Sequence, residues 1–285
     1  MPELPEVETY RRYFEETCLF QPIANLFVED RKLLTTEYDT LLAVLRGRSF
    51  VGTKRVGKNL FVQLDEPKSS DSPSVPWLHL HFGMTGDLAY FRDVEDTPRF
   101  ARILFFFQNG FKLAFICPRK FERVGLVGNP DAYLLRKKIG KDGLEITVEE
   151  LAGKFLRKAV FIKPVLMDQA TVAGLGNWIV DEVLFQARLH PERRANALTA
   201  NEVENIRDAI QLVLNTAITH EARYSRFPTR FLIHAREWDA SPYLEANAHR
   251  SCPACRGELT VKQVGGRTTY FCAECQQLSD GVRTE

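Results

Sequence analysis

Apolar residues follow two different patterns along this chain, and the change between them divides it. Residues 5–16 read as one helix, with Pro5 setting its first turn and Glu6 and Glu8 at the positive end of its dipole. From about residue 20 to 127 the pattern is short β-rich runs separated by turn signals: "NLFVQL" (59–64), "WLHLHF" (77–82), "ARILFFF" (101–107) and "FKLAFI" (111–116). The "QNG" at 108–110 predicts a hairpin between the last two. Such spacing suits a β-sandwich or barrel and not alternating βαβ units. The polar, Pro- and Ser-rich stretch 66–76 reads as a surface loop and 140–147 as a linker. After it the text is helical: 147–156, opening on a capping-box pattern Thr147…Glu150, then 178–188, then 199–222. The last 34 residues form a small separate module, and no internal repeat is visible.

Composition changes this picture little. With 285 residues there is room for two domains and an appendage, and 45% hydrophobic with 26% charged residues is ordinary for a globular protein. No apolar run reaches membrane-spanning length, so no membrane role is expected. The formal charge is only +1, from 38 basic and 37 acidic residues, so any basic surface must be local. Cysteine usage says more. Cys18 and Cys117 stand alone, whereas Cys252, Cys255, Cys272 and Cys275 form C-x2-C, sixteen residues, C-x2-C. With no secretory leader expected from "MPELPEVE", that spacing favours a structural, four-thiolate zinc site in a reducing compartment over two disulfides or a redox pair. Four sulfurs leave no open coordination position. Arg267, on the turn between the knuckles, becomes a candidate for reaching a phosphate.

Several phrases then converge in one order: "PELPEVE" at the start, "VGKNLFVQL" (56–64), "HFGMTG" (81–86), "PRKF" (118–121), "IKPVLMDQ" (162–169), "GLGNWIVDE" (174–182) and the terminal "CAECQ". Together they resemble the formamidopyrimidine-DNA glycosylase and endonuclease VIII family nearly end to end, closer to the first branch. The resemblance implies an α+β multidomain fold: an N-terminal β-sandwich with a leading helix (1–139), a linker (140–150), a helical domain with a helix–two-turns–helix element (151–248) and a zinc hairpin (249–285). It implies a bifunctional glycosylase and abasic-site lyase that removes oxidised or ring-opened bases such as 8-oxoguanine and formamidopyrimidines. Its partner would be damaged double-stranded DNA, the protein a cytoplasmic monomer with one structural Zn2+. A sister enzyme with another lesion range, or a non-catalytic damage-binding protein, are the alternatives.

Residue by residue, the resemblance makes Pro2 the nucleophile once methionine is removed, because an α-amino group has a pKa of about 7.7–8.0 against about 10.4 for lysine. Glu3 would be the general acid/base, with Glu6 supporting it or merely capping the helix. Lys58 and Arg267 would hold phosphates and assist the β- and δ-eliminations. Met84, Arg119 and Phe121 would fill the gap left by an everted nucleotide and meet the orphaned base. Asn177, Lys163, Lys158 and, more loosely, Arg102 would contact DNA. The chain departs from the family pattern at Cys117 and Glu122, where aspartate and glycine are common, and at Trp178-Ile179. It departs most over 219–249, where a glycine/threonine-rich phrase is replaced by arginines, histidines and aromatics that would stack on DNA or cover the helical core.

Overall fold

The computed structural model describes residues 2–66, 76–236 and 251–278, in two compact units, 1–138 and 139–285. In the first unit α1 (Leu4–Cys18) is followed by β1 (Ile23–Val28), α2 (Tyr38–Leu45), β2 (Phe50–Val56), β3 (Asn59–Leu64), β4 (Trp77–His81) and β5 (Asp87–Phe91). Then come β6 (Ala101–Phe107), β7 (Lys112–Ile116), β8 (Arg123–Val127) and α3 (Pro130–Arg136). The strands form two antiparallel four-stranded sheets, ordered β1-β6-β7-β5 and β2-β3-β4-β8.

Period-two alternation explains the pairing of the sheets. In β6, Ile103, Phe105 and Phe107 point inward, meeting Phe50, Leu60, Val62 and Leu80 of the other sheet in one core. Phe50 is its hub: its ring packs edge-on against Phe14 of α1, Phe105 and Phe107 at 5.1, 6.1 and 6.3 Å. β3 is buried on both faces, and its outward Phe61 stacks on His79 and meets Tyr133 of α3. The hairpin at 108–110 is present, with Gly110 at φ +86. One helix, α2, interrupts the range 20–127 expected as β-rich runs, and another, α3, follows it. α3 carries an overlooked start signal: Asn129 caps it by accepting the Ala132 N–H at 3.0 Å, and Pro130 opens it. Nearly all of the expected surface loop 66–76 lies outside the described residues.

The second unit contains α4 (Val148–Phe155), α5 (Ile162–Met167), α6 (Asn177–Gln186), α7 (Ala200–Thr219) and the hairpin β9 (Thr260–Val264) to β10 (Arg267–Phe271). Thr147 and Glu150 close the capping box of α4, and Thr199 and Glu202 close another on α7. The stretch expected as a linker is built into this unit. The Gly140 N–H donates to Gln169 O at 2.8 Å and the Gly143 N–H to Ala173 O at 3.0 Å, so 140–147 lies along the turns that join α5 to α6. Those turns are tied internally, with the Gln169 side chain donating to Leu175 O and accepting from the Gly174 N–H.

Because Phe50 is fully buried and touches helix and both sheets, Phe50→Ala should cost about 3–5 kcal/mol. A lower urea midpoint for the cooperative loss of β-signal measures it; a change below 1 kcal/mol would contradict this packing.

Candidate active site

Each unit contributes a group of the expected residues. In the first, Pro2 and Glu3 are buried at the start of α1. Glu3 is the N-cap and closes a reciprocal capping box with Glu6, whose carboxylate takes the Glu3 N–H at 3.0 Å. Further along, Glu8 anchors α1 to β2 by pairing with Arg11 at 2.7 Å and with Arg55 of β2 at 3.0 Å. Burial would push its carboxyl up, yet the guanidiniums of Arg11 and Arg55 outweigh that and hold it below the usual carboxylate range. The terminus is thus fixed from both ends of the first two helical turns.

Lys58 sits at the tip of the β2–β3 hairpin, in the two-residue turn Gly57-Lys58 whose glycine has φ +57. Across the sheet lies His81, opposite Asn59 and Arg123. Burial, aided by the charges of Lys58 and Arg123, holds its imidazole below the usual histidine range. His81 Nδ1 accepts the Gly83 N–H at 3.2 Å, which places the neutral ring's proton on Nε2. The next residues form the turn carrying Met84. Its neighbour across space is the 117–122 loop, carrying Arg119 and Phe121. Met84 and Phe121 are 37% and 51% exposed, large apolar side chains left in solvent, and the Arg119 guanidinium lies 5.3 Å from the Phe121 ring centre. A Cβ at Gly83 would meet the Phe121 carbonyl carbon at 2.7 Å, so this position, at φ +56, requires glycine twice over.

Arg102 does not project freely. Its guanidinium pairs with Glu29 at 2.5 Å and donates to Cys117 O at 2.8 Å, bracing the base of the 117–122 loop. Cys117 and Glu122 are both fully buried.

In the second unit, Lys163 is a correction. Expected as phosphate-binding charge, it is fully buried. Its Nζ donates to Asp181 Oδ1 at 2.7 Å, Thr269 Oγ1 at 2.7 Å and Thr268 O at 3.1 Å. Three hydrogen bonds exhaust an ammonium, leaving nothing for DNA. Asp181 also takes Arg236 Nη1 at 2.6 Å and the Tyr270 N–H at 3.1 Å. The neighbouring Glu182 accepts the N–H groups of Leu232 and Ile233 at 3.0 and 2.9 Å. Asp181, Glu182 and Arg236 went unread as a network because their partners lie 18 to 89 residues away. Asn177 opens α6 and donates to Thr268 O at 3.0 Å, while its Oδ1 has no partner among the described residues. Next to Thr268, Arg267 is exposed just after the Gly265-Gly266 turn, both glycines at positive φ. Lys158 pairs with Asp168 at 3.4 Å, both side chains over 40% exposed.

The four terminal cysteines converge, their sulfurs all within 4.8 Å of one another. Cys252 Sγ lies 3.8 Å from Cys275 Sγ, and Cys255 Sγ 3.5 Å from Cys272 Sγ. A disulfide requires about 2.05 Å. A tetrahedral ion with metal–sulfur bonds of about 2.3 Å spaces its sulfurs about 3.8 Å apart, so the cluster fits a metal. Backbone N–H groups of Ala254, Cys255 and Gly257 point at the sulfurs of Cys252 and Cys255, as a thiolate needs.

Within the divergent stretch the described part, to residue 236, turns its aromatics inward: Phe227 and Phe231 are buried, and Tyr224 packs against the buried Trp178 of α6 at 5.4 Å. Arg223, Arg226 and Arg230 face outward. Residues 237–249 lie outside the described residues.

Two family models match the chain: the formamidopyrimidine-DNA glycosylase N-terminal domain over residues 1–124 and the formamidopyrimidine-DNA glycosylase H2TH domain over 139–229. The chain belongs to the formamidopyrimidine-DNA glycosylase family. Formamidopyrimidine-DNA glycosylases of Arabidopsis thaliana and Herpetosiphon aurantiacus are each 32% identical to it, aligning with 98% and 97% of this chain and 71% and 100% of theirs. Among solved structures, a Lactococcus lactis glycosylase complexed with a THF-DNA and an inhibitor superposes with a TM-score of 0.82 at 28% identity. It covers 97% of this chain and 100% of its own. MutM bound to DNA containing carbocyclic 8-oxo-G gives the same TM-score and identity. The two-unit α+β architecture described above is that of this glycosylase family.

Two outcomes test this geometry. Lys163→Ala, leaving Asp181 with an uncompensated buried partner set, should lower folding stability by about 3–5 kcal/mol; a melting temperature unchanged from wild type would return Lys163 to the surface. His79, 4% exposed and held to Asn59 at 3.0 Å, is pushed down to about 3, chiefly by burial. Its folded value lies below the unfolded value of about 6.5, so its contribution is complete above pH 6.5 and is lost as pH falls toward 3. Comparing His79→Phe with wild type by urea titration from pH 7 to 4 should show a smaller acid loss in the variant.

Proposed function

We propose that this glycosylase excises oxidised or ring-opened bases, 8-oxoguanine and formamidopyrimidines foremost, from double-stranded DNA and then cuts the abasic strand. The observation that carries the reading is the mounting of Pro2 and Glu3 at the capped start of α1, in a family member that retains Lys58 and Arg267. After methionine removal, the Pro2 nitrogen attacks C1′ of the damaged nucleotide as the base departs with the glycosidic electron pair. The secondary amine yields an iminium with no N–H to lose, a standing electron sink for the eliminations that follow. At an α-amino pKa of about 7.7–8.0, roughly a tenth of the nitrogen is neutral at pH 7, far more than any ordinary lysine offers. Glu3 assists opening of the sugar ring as general acid/base. Lys58, presented on a hairpin tip, holds the phosphate beside the lesion and protonates the departing group, and Arg267 supports the second elimination.

Met84, Arg119 and Phe121 enter the stack when the nucleotide is everted, an apolar wedge and an aromatic replacing lost stacking while the guanidinium meets the unpaired base. The N-terminus of α6, with the Asn177 side chain there, and the exposed Lys158 supply phosphate contacts. Lys163 and Arg102 act by positioning: the first holds the Arg267 hairpin, the second the Arg119 loop. Cys252, Cys255, Cys272 and Cys275 hold a structural zinc, which has no open position for chemistry. A second reading, an altered lesion range, is favoured by the inward-facing aromatics of 224–231, which occupy part of the segment where the family's glycine/threonine-rich phrase would stand.

Borohydride trapping on an abasic-site duplex tests the chemistry. Wild type should give a covalent complex, Pro2→Gly and Glu3→Gln should lose most of it, and an uncleaved N-terminal tag should abolish it by converting the amine into an amide. No trapping by wild type would sink the lyase assignment. Lesion duplexes then separate purine from pyrimidine preference. Removing zinc with a chelator should weaken DNA binding while leaving the first unit's melting transition in place.

A further inference from the structure

Glu122 is a charged residue without an assigned task, and its setting is unusual. It is fully buried. Its Oε1 accepts from Thr85 Oγ1 at 3.3 Å, whereas its Oε2 has no hydrogen-bond partner among the described residues. Its backbone carbonyl takes Arg123 Nη1 at 2.6 Å, and the same nitrogen donates to Lys120 O at 3.0 Å. Thr85 follows Met84 in one loop; Glu122 follows Phe121 in the other. A bond of 3.3 Å is at the long end for a hydroxyl donor, and steric fit adds to the coupling. A Cβ at Gly86 would come within 2.9 Å of Glu122 Cγ, and one at Gly83 within 2.8 Å of the Glu122 nitrogen. The turn 83–86 is therefore moulded around Glu122, with glycine on both sides of Met84 and Thr85 to admit it. From the opposite side His81 Nδ1 holds the Gly83 N–H.

We propose that Glu122 is a positioning residue that locks the Met84 turn to the Arg119–Phe121 loop, and thereby sets how strongly the enzyme discriminates the base opposite the lesion. The inference rests on the proposed role of Met84, Arg119 and Phe121 in the vacated stack. Three side chains on two separate loops must arrive together, and a displacement of about 1 Å in such a constellation costs up to about 100-fold. A buried carboxylate tolerates this place poorly by itself, since an unsatisfied oxygen is costly, so its presence is explained by the contact it makes to the neighbouring loop. Cys117, buried within the electrostatic reach of Glu122, keeps its thiol protonated, raised first by burial and then by that carboxylate, so the loop base carries no second anion.

The test compares wild type, Glu122→Ala, Glu122→Gln and Thr85→Val on four abasic-site duplexes that differ only in the opposite base. The readout is the spread of trapping rates across the four, beside a melting curve for each variant. Expected is a spread compressed by about 10-fold in Glu122→Ala and partly in Thr85→Val, with Glu122→Gln, which keeps the Oε1 acceptor and the bulk, near wild type. A residue that only stabilises the fold would lower all four rates together and leave the spread intact. Such a result, in a wild type that traps normally, overturns the inference. If Glu122→Ala does not fold, Thr85→Val decides: compression supports the lock, an unchanged spread refutes it. Absence of trapping by wild type on any duplex refutes instead the proposed chemistry, which separates the two failures.

Discussion

Asp181 is the interaction on which the second unit depends. A carboxylate with no exposure is held between Lys163 and Arg236 and accepts the Tyr270 N–H, so three distant segments meet on one side chain. Buried ion pairs give little net stability over a well-packed apolar core, because desolvation of both charges offsets their attraction. What they supply is placement. An apolar core of the same volume would let the β9–β10 hairpin slide; a carboxylate that must find two cations and one particular N–H fixes β10 in a single register. Arg267 lies three residues before Tyr270 on that strand, and its presentation is therefore a consequence of α6. Glu182, the next residue on α6, does the same for Leu232 and Ile233, so one turn of helix positions both the hairpin and the 232–236 segment.

The first unit solves the same problem with backbone and glycine. Pro2 and Glu3 are held by a helix cap, Lys58 by a two-residue turn, Met84 by a turn that only glycine at 83 and 86 permits, and Phe121 by the close approach of that turn. None of these is a long flexible loop. Their rigidity comes from the Phe50-centred core beneath, whose strands end at these turns. Preorganisation of this kind lowers the entropy lost when the groups must act together.

How much of this was legible in the sequence follows from the range of the interaction involved. The four cysteines, the hairpin at 108–110 and the capping box at Thr147 were all local patterns, and the structure contains them. So was the family likeness, which is a set of local phrases. Lys163 misled because a lysine is nearly always solvated, and its burial depends on Asp181 eighteen residues on and Thr269 over a hundred residues on. Residues 140–147 looked like a linker because two glycines and polar residues fall together there, yet the Gly140 and Gly143 N–H groups are satisfied by the α5–α6 turns, which no local pattern announces. Glu122 was visible only as a departure from a family phrase; that it faces Thr85 needs the two loops side by side.

Burial also revises what a net charge of +1 implies. Among the described residues six acids are buried, Glu3, Glu8, Glu122, Asp142, Asp181 and Glu182, against three bases, Lys163, Arg193 and Arg236. The imbalance falls wholly in the first unit, where three acids and no base are withdrawn from solvent. A formal charge of only +1 therefore coexists with a first unit that has withdrawn three acids and no base from its surface, Glu8 paired with Arg55 and Glu3 at a helix N-terminus. Arg119 and Lys120 are left exposed on the 117–122 loop, Lys120 beside Asp30 at 2.8 Å, and Lys58 is half-buried on the hairpin tip. A polyanion feels that local surface within a Debye length of about 8 Å, and not the sum over the chain. The buried acids Glu3, Glu8 and Glu122 thus fix the segments that bear the proposed site.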